Sequence, residues 1–176
     1  MISVDAFLAK VEPLGAGLSL SAMREGGEII RDVVVSGGYR KALEIGTYRG
    51  VTAAFLAHLC ERVVTIDLAD GKLERRSEEF SREAFWRALG LNNIEMVLIH
   101  SDADKAAAIA PLEFDFAFID GDHSAPAVDF ALVRRCGAVL FHDYIDDRNG
   151  VSRLVRTLPP SEVSVRGNFA FWRRLA

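Results

Sequence analysis

The chain has 176 residues, of which 50% are hydrophobic and 26% charged, so we expect one folded domain over residues 1–176, with a helical extension over residues 1–38. A formal net charge of −4 without a long basic run argues against nucleic acid as a partner. No apolar run approaches the roughly 18 residues of a membrane span, and no N-terminal segment resembles a secretory signal. We therefore expect a cytoplasmic protein that contacts no membrane.

Short apolar runs alternate with helix-like segments. Five runs without polar alternation predict parallel strands covered on both faces, at residues 42–45, 63–66, 96–99, 114–119 and 138–141. Helices are predicted at residues 19–36, 51–59, 74–89 and 124–135, the last one capped by Ser124. This alternation predicts an α/β fold with a doubly wound, mostly parallel sheet.

The C-terminal part departs from this alternation. A short helix is predicted at residues 150–158, and two strand-like stretches follow at residues 162–166 and 168–173. They are joined at Gly167, and such a tight connection joins antiparallel neighbours. The sheet should therefore have seven strands and end in an antiparallel hairpin.

The loop after the first core strand is the first candidate site. It reads EIGTYRG over residues 44–50, where Gly46 lets the backbone turn sharply beside a ligand. Asp67 ends the next strand about 20 residues later, where a carboxylate can accept from both ribose hydroxyls. Because Tyr48 replaces the middle glycine of a dinucleotide site, the loop favours a smaller nucleoside with an amino-acid tail. A tight turn without a ligand is the alternative.

Further carboxylates follow the later strands. Asp102 follows the third strand, where it could accept from an adenine amine, and Asp120 and Asp143 follow the fourth and fifth. The last two should face one crevice, where carboxylates repel each other unless a proton or cation lies between them. Oxygen ligands with His142 nearby suit Mg²⁺ or Mn²⁺ better than Zn²⁺ or Fe²⁺. Each residue alone is also typical of a turn or a helix cap.

Together these features resemble the binding signature of class I S-adenosylmethionine-dependent methyltransferases, from about residue 19 to the C-terminus. The family sheet also ends in an antiparallel seventh strand. The resemblance implies that the first loop surrounds the methionine part, that Asp67 holds the ribose and that Asp102 reads the adenine. The cofactor-binding residues expected from it are Glu44, Gly46, Thr47, Tyr48, Gly50, Asp67, Asp102 and Asp120.

The segment IDGDHS, followed by a helix and FHDY, resembles small-molecule O-methyltransferases, some of them metal-dependent enzymes acting on sugar hydroxyls. The segment from Ser19 through the first loop also resembles the beginning of the catechol and caffeoyl-coenzyme-A type. The resemblance implies a divalent metal on Asp120 and Asp143, and we expect the imidazole of His142 as a further ligand. It also implies catalysis by Asp120 and His123, the latter as the base. His142 stands where sugar-modifying relatives often have a carboxylate, and Tyr144 where the catechol type has asparagine.

These features lead to a functional hypothesis with two alternatives. We expect S-adenosylmethionine-dependent methyl transfer to a hydroxyl of a small molecule such as a sugar, a natural product or a catechol, with the metal left open. A nicotinamide-dependent oxidoreductase is disfavoured by the missing glycine. A non-catalytic nucleoside-binding module stays open because fold alone does not decide activity. A homodimer is plausible because the chain carries no cap domain to contact the acceptor.

Overall fold

The computed structural model describes residues 2–14, 20–69, 80–145 and 149–175. Its elements, in chain order, are α1 (Val4–Val11), α2 (Ser21–Gly37), β1 (Lys41–Ile45), α3 (Val51–Leu59), β2 (Arg62–Leu68), α4 (Arg82–Ala88), β3 (Ile94–Ile99), α5 (Asp102–Ile109), β4 (Phe116–Ile119), α6 (Pro126–Val133), β5 (Ala138–Phe141), α7 (Gly150–Val155), β6 (Val163–Arg166) and β7 (Phe169–Arg173).

All seven strands form one sheet in the order β3-β2-β1-β4-β5-β7-β6. The first five of these strands run parallel, and β7 pairs antiparallel with both β5 and β6. Gly167 makes the turn of the β6–β7 hairpin with a φ of 56°. The predicted α/β fold, with its mostly parallel sheet and antiparallel end, is confirmed.

Apolar side chains fill both faces of the sheet, as expected for strands without polar alternation. One core lies under α1, α2, α3 and α4, and it includes Phe7, Phe55 and Phe116, each 0% exposed. The other lies under α5, α6 and α7 and includes Leu43 and Phe141. Helices on both faces leave the two rims of the sheet as the places where loops can gather.

The sequence analysis did not predict α5, and it gave no bounds for α1 within the helical extension expected over residues 1–38. Helix α5 has the sequence DADKAAAI, and its buried residues are Lys105 and Ile109. Because one of these two is a lysine, the sequence does not show the apolar periodicity by which a helix is predicted. Helix α1 is short, and its cap is Ser3, whose side chain accepts from the Ala6 N–H. In both helices a capping serine was the available signal, since Ser101 caps α5 in the same way.

Other helix boundaries differ from the prediction by a few residues. Helix α2 ends at the left-handed Gly38, with a φ of 67°, and residue 19 of its predicted range lies outside the described residues. Helix α4 begins after its cap, Ser81, and residues 74–79 of the predicted helix also lie outside the described part.

The prediction that Ser124 caps α6 was wrong. The capping position is Ala125, which makes no side-chain cap hydrogen bond. Ser124 instead turns back to Asp122, because its N–H and its hydroxyl donate to the two carboxylate oxygens at 2.8 and 2.9 Å. Within the described residues, no helix combines the length and the hydropathy needed to cross a bilayer.

Candidate functional site

The strand register brings the candidate residues to one rim of the sheet. Ile45 of β1 is paired with Ile66 of β2 and with Ile119 of β4, which in turn is paired with Phe141 of β5. Ile45, Ile66, Ile119 and Phe141 therefore lie at the same level of the sheet, where β1, β4 and β5 end and β2 continues to Leu68. The residues that follow these four lie at the shared rim, and they are Gly46, Asp67, Asp120 and His142.

The first loop packs tightly against the end of β4. Gly46 has a φ of 98°, and a Cβ on it would lie 2.3 Å from the Asp120 carbonyl oxygen. At Gly50, a Cβ would lie 2.6 Å from Trp86, whose indole N–H donates to the Gly50 carbonyl at 2.8 Å. Both positions therefore require glycine for close packing as well as for their backbone conformation.

Glu44 lies beneath this loop and is 0% exposed. The Thr65 hydroxyl donates to Glu44 Oε2, and the hydroxyls of Thr65 and Thr47 are 2.6 Å apart. Burial raises the pKa of Glu44 well above its ordinary value, although the hydrogen bond from Thr65 acts in the opposite direction. Glu44 Oε1 is buried and has no hydrogen-bond partner among the described residues, so it remains an acceptor for a donor from outside that set.

Asp67 accepts hydrogen bonds from three donors within the part of the chain that the structure describes. The Tyr48 N–H donates to Oδ2 at 2.9 Å, the Leu68 N–H donates to Oδ1 at 2.9 Å, and Arg82 Nη2 donates to Oδ2 at 3.2 Å. Arg82 was missed by the sequence analysis, because it follows a long charged segment and no spacing marks it. The carboxylate predicted to hold a ribose is therefore fixed in position by the chain itself.

Asp102 lies apart from this group in its contacts. Its side chain is 69% exposed, and its carboxylate lies 3.0 Å from Lys105 Nζ. Lys105 also forms an ion pair with the buried Asp129 at 2.6 Å. Burial lowers the pKa of Lys105, but its hydrogen bonds with Asp129 and Asp102 outweigh burial and leave the pKa raised. Asp102 thus begins α5 and supports its packing on α6, and its role toward an adenine stays a prediction.

Two histidine–carboxylate pairs meet at the ends of β4 and β5. His142 Nδ1 lies 2.9 Å from Asp120 Oδ1 and 3.4 Å from Asp143 Oδ1. His123 Nε2 lies 3.0 Å from Asp143 Oδ2. The structure therefore brings together the four residues predicted as base and metal ligands, in a connected chain that runs His123, Asp143, His142, Asp120.

Burial and charge act in opposite directions on His142. Burial lowers the pKa of this imidazole, while the hydrogen bond to Asp120 and the charges of Asp120 and Asp143 raise it. The net effect is a raised pKa, so a proton on His142 is favoured between the two carboxylates. In the protein without metal, that proton does what a cation would do at the same place.

Two asparagines that the sequence analysis missed hold the end of β5. The Asn149 side chain donates to the carbonyl of Asp143, whose φ of 57° is left-handed, and it also accepts from the Ser152 N–H at 2.8 Å. Asn168 Nδ2 lies 3.1 Å from His142 Nε2, and the Asn168 carbonyl accepts from the Tyr144 N–H at 2.8 Å. The Asn168 contacts connect the antiparallel hairpin to the histidine–carboxylate pairs, a connection that no local motif reveals.

The donor set of this cluster fits a divalent metal. One ligand atom each from Asp120, His142 and Asp143 can be chosen so that all three lie within 4.8 Å of one another. Carboxylate oxygens with one imidazole nitrogen suit Mg²⁺ and Mn²⁺. Metal binding at His142 Nδ1 would require loss of the proton that this nitrogen shares with the carboxylates.

Comparison with known proteins supports this picture at the level of family and fold. A family model described as a methyltransferase domain matches residues 43–144, which is more than half of the chain. This range includes the first loop and the cluster at the ends of β4 and β5. No curated protein matches the chain.

Several solved structures share the fold over nearly the whole chain. The cofactor-bound protein Rv0187 from MTB is 20% identical with a TM-score of 0.67, covering 97% of this chain and 88% of that one. An O-methyltransferase from Bacillus cereus in complex with SAH is 20% identical with a TM-score of 0.62, covering 97% and 90%. An SAH-bound methyltransferase from Podospora anserina is 16% identical with a TM-score of 0.63, covering 97% and 88%. On the strength of the family match, the chain belongs to the methyltransferase domain family.

Proposed function

We propose that this protein transfers a methyl group from S-adenosylmethionine to a hydroxyl of a small-molecule acceptor. One observation carries the proposal: the strand register brings the glycine-containing loop after β1 directly beside a cluster of acids and imidazoles. The first part supplies a place for the methyl donor, and the second supplies groups that can remove a proton from an acceptor. The family match to methyltransferases and the fold shared with O-methyltransferases support the same reaction.

The cofactor would lie over the first loop. Gly46 allows close approach of a ligand, with Thr47, Tyr48 and Gly50 around the amino-acid tail and Asp67 at the ribose. The buried, unpartnered Oε1 of Glu44 supports this placement, since it offers an acceptor for a donor on the ligand. Asp120 adjoins Gly46 and completes the cofactor set toward the reacting methyl group. Asp102 at the adenine remains the expectation from the resemblance.

The chain's own task in the reaction is alignment and removal of one proton. The sulfonium methyl is already activated, so an acceptor oxygen held in line with it displaces S-adenosylhomocysteine. His123 is 41% exposed and can reach an acceptor. Because an ionised carboxylate only accepts hydrogen bonds, Asp143 orients His123 with the proton on Nε2 and leaves Nδ1 to accept the hydroxyl proton.

The metal belongs to this proposal. Asp120, Asp143 and His142 would hold a divalent ion such as Mg²⁺, which would acidify the acceptor hydroxyl when bound. His123 is not one of these three ligands, but it contacts one of them, Asp143, at 3.0 Å. The acceptor would be a sugar, a natural product or a catechol-like molecule. Homodimerisation and a cytoplasmic location stay predictions.

Calorimetry and a transfer assay test the proposal. Purified protein titrated with S-adenosylhomocysteine should bind it, whereas NAD⁺ should not bind. Methyl transfer to a panel of hydroxylated acceptors is then measured with Mg²⁺ and with excess EDTA. Binding of NAD⁺ alone would favour an oxidoreductase, and cofactor binding without transfer to any acceptor would favour a non-catalytic module.

A further inference from the structure

Arg82 is a buried cation at the cofactor end of the rim. The residue is 6% exposed and begins α4, directly after the capping Ser81, whose hydroxyl oxygen accepts from the Ala84 N–H at 3.1 Å. Burying a guanidinium is unfavourable unless its donors find acceptors. Its contacts therefore indicate what the fold gains by placing a charge there.

Those contacts connect the first loop to the carboxylate of β2. Arg82 Nε donates to the Tyr48 carbonyl, and Nη2 donates to Asp67 Oδ2 at 3.2 Å. The Tyr48 N–H donates to the same Oδ2 at 2.9 Å. Arg82, Tyr48 and Asp67 thus form a closed triangle in which both backbone polar groups of Tyr48 are engaged.

Both partners need such support. Tyr48 has a φ of 45°, a left-handed conformation that a residue with a side chain adopts only when its surroundings hold it. Asp67 lies near the carboxyl group of Glu44, and its charge contributes to the raised pKa of Glu44. The planar guanidinium reaches a carbonyl and a carboxylate at once, which the single ammonium of a lysine does not do in the same geometry.

We propose that Arg82 is a positioning residue of the nucleoside site, which orients the Asp67 carboxylate toward the ribose hydroxyls and holds Tyr48 in its left-handed conformation. The inference rests on the proposed function, because the role of Asp67 toward a ribose belongs to that proposal. It goes further in making recognition of the hydroxyls depend on a residue that does not touch them. Loss of Arg82 should therefore weaken hydroxyl recognition more than the remaining cofactor contacts.

The test compares two ligands in two proteins by calorimetry. S-adenosylhomocysteine and its 2′-deoxy analogue are titrated into the wild-type chain and into Arg82→Met. In the wild type, loss of the hydroxyl should weaken binding about tenfold. In Arg82→Met, S-adenosylhomocysteine should bind about tenfold more weakly and its 2′-deoxy analogue only about twofold more weakly, so the ratio between the two ligands should fall to about two.

The ratio separates positioning from a general structural effect. A variant that is merely loosened loses affinity for both ligands equally, so its ratio stays at the wild-type value. Arg62→Met is the matched control, since Arg62 lies on β2, the strand that carries Asp67, and pairs with Glu95 at 2.6 Å on the surface. It should leave both affinities unchanged. If Arg82→Met does not fold, Arg82→Gln takes its place, because Gln keeps a donor for the Tyr48 carbonyl.

The outcomes distinguish the inference from the proposed function. A wild-type ratio in a folded Arg82 variant would overturn the inference and leave the methyltransferase proposal standing. Failure of the wild-type chain to bind S-adenosylhomocysteine would overturn both. A reduced ratio with an unchanged Arg62→Met control supports the positioning role.

Discussion

The rim of the sheet has two parts, which differ in how their charged groups are held and how far these groups are exposed. Beside β1 and β2, the chain holds its carboxyl groups in place: the Thr65 hydroxyl donates to the buried Glu44 Oε2, and Asp67 accepts from backbone N–H groups and from Arg82. Beside β4 and β5, the acids and imidazoles are partly exposed, and Asp120 and Asp143 are bridged by His142. The first part is preorganised for a ligand of fixed shape, whereas the second can change with a proton, a cation or an acceptor.

A substitution in the preorganised part should therefore affect everything built on it. Gly46→Ala would place a Cβ 2.3 Å from the Asp120 carbonyl at a φ of 98°, so the loop and the end of β4 would have to separate. We expect a loss of about 3 kcal/mol or more in the free energy of unfolding and no detectable binding of S-adenosylhomocysteine. Urea denaturation and calorimetry measure the two effects.

Gly90→Ala isolates the backbone part of that effect. Gly90 also has a positive φ, 74°, but a Cβ there meets nothing within 4 Å. It should cost only about 1 kcal/mol and leave cofactor binding intact. Equal losses in the two variants would contradict the close packing of Gly46 against β4.

Substitutions in the part of the rim beside β4 and β5 should lower the rate of methyl transfer without weakening cofactor binding. His123→Ala should lower the rate of methyl transfer about 100-fold or more, since a positioned base contributes roughly that factor, while S-adenosylhomocysteine binds as before. His100→Ala, an exposed histidine beside the same rim, serves as the control and should leave the rate unchanged. Weakened cofactor binding in His123→Ala would instead indicate a structural role for His123.

Removal of one proposed metal ligand should have an intermediate effect. In His142→Ala, Asp120 and Asp143 lose the imidazole between them, so affinity for Mn²⁺ should fall about 10- to 100-fold, as measured by electron paramagnetic resonance. Excess EDTA should lower the wild-type rate and have little further effect on the variant. A wild-type rate that EDTA leaves unchanged would remove the metal from the mechanism.

The sequence revealed the two parts of the rim to different extents. The strands and the first loop were predictable because each carries a local signal: an uninterrupted apolar run, or glycines where the chain turns sharply. Contacts between distant segments were not. Arg82 and Asn168 reach the rim from α4 and from the final hairpin, and their partners lie 15 and 26 positions away along the chain. For Asp102 the position after β3 was predictable from the sequence, but the contact of its carboxylate with Lys105 was not.

The smallest effect is expected for Glu44→Gln, and it should appear as a pH dependence of the free energy of unfolding. Burial raises the pKa of Glu44, so its carboxyl favours folding fully below its unfolded pKa of about 4.5, and that contribution is lost as the pH rises through the folded value. Glu44→Gln keeps a hydrogen-bonding partner for Thr65 and has no such loss. The free energy of unfolding of the variant relative to the wild type should therefore increase from pH 5 toward pH 8 in urea denaturation.

The contribution of an exposed, ion-paired carboxyl to stability should change with pH in the opposite direction. Glu113→Gln is therefore the control for Glu44→Gln. The hydrogen bond from Lys41 lowers the pKa of Glu113, so its small contribution is present above its unfolded pKa and is lost as the pH falls. Glu113→Gln should therefore show no growing advantage between pH 5 and pH 8. If Glu44→Gln behaves in the same way, Glu44 is already charged in the folded chain, and a cation must lie beside it. In that case the part of the rim beside β1 and β2 would also depend on a partner from outside the described residues, as is proposed for the metal beside β4 and β5.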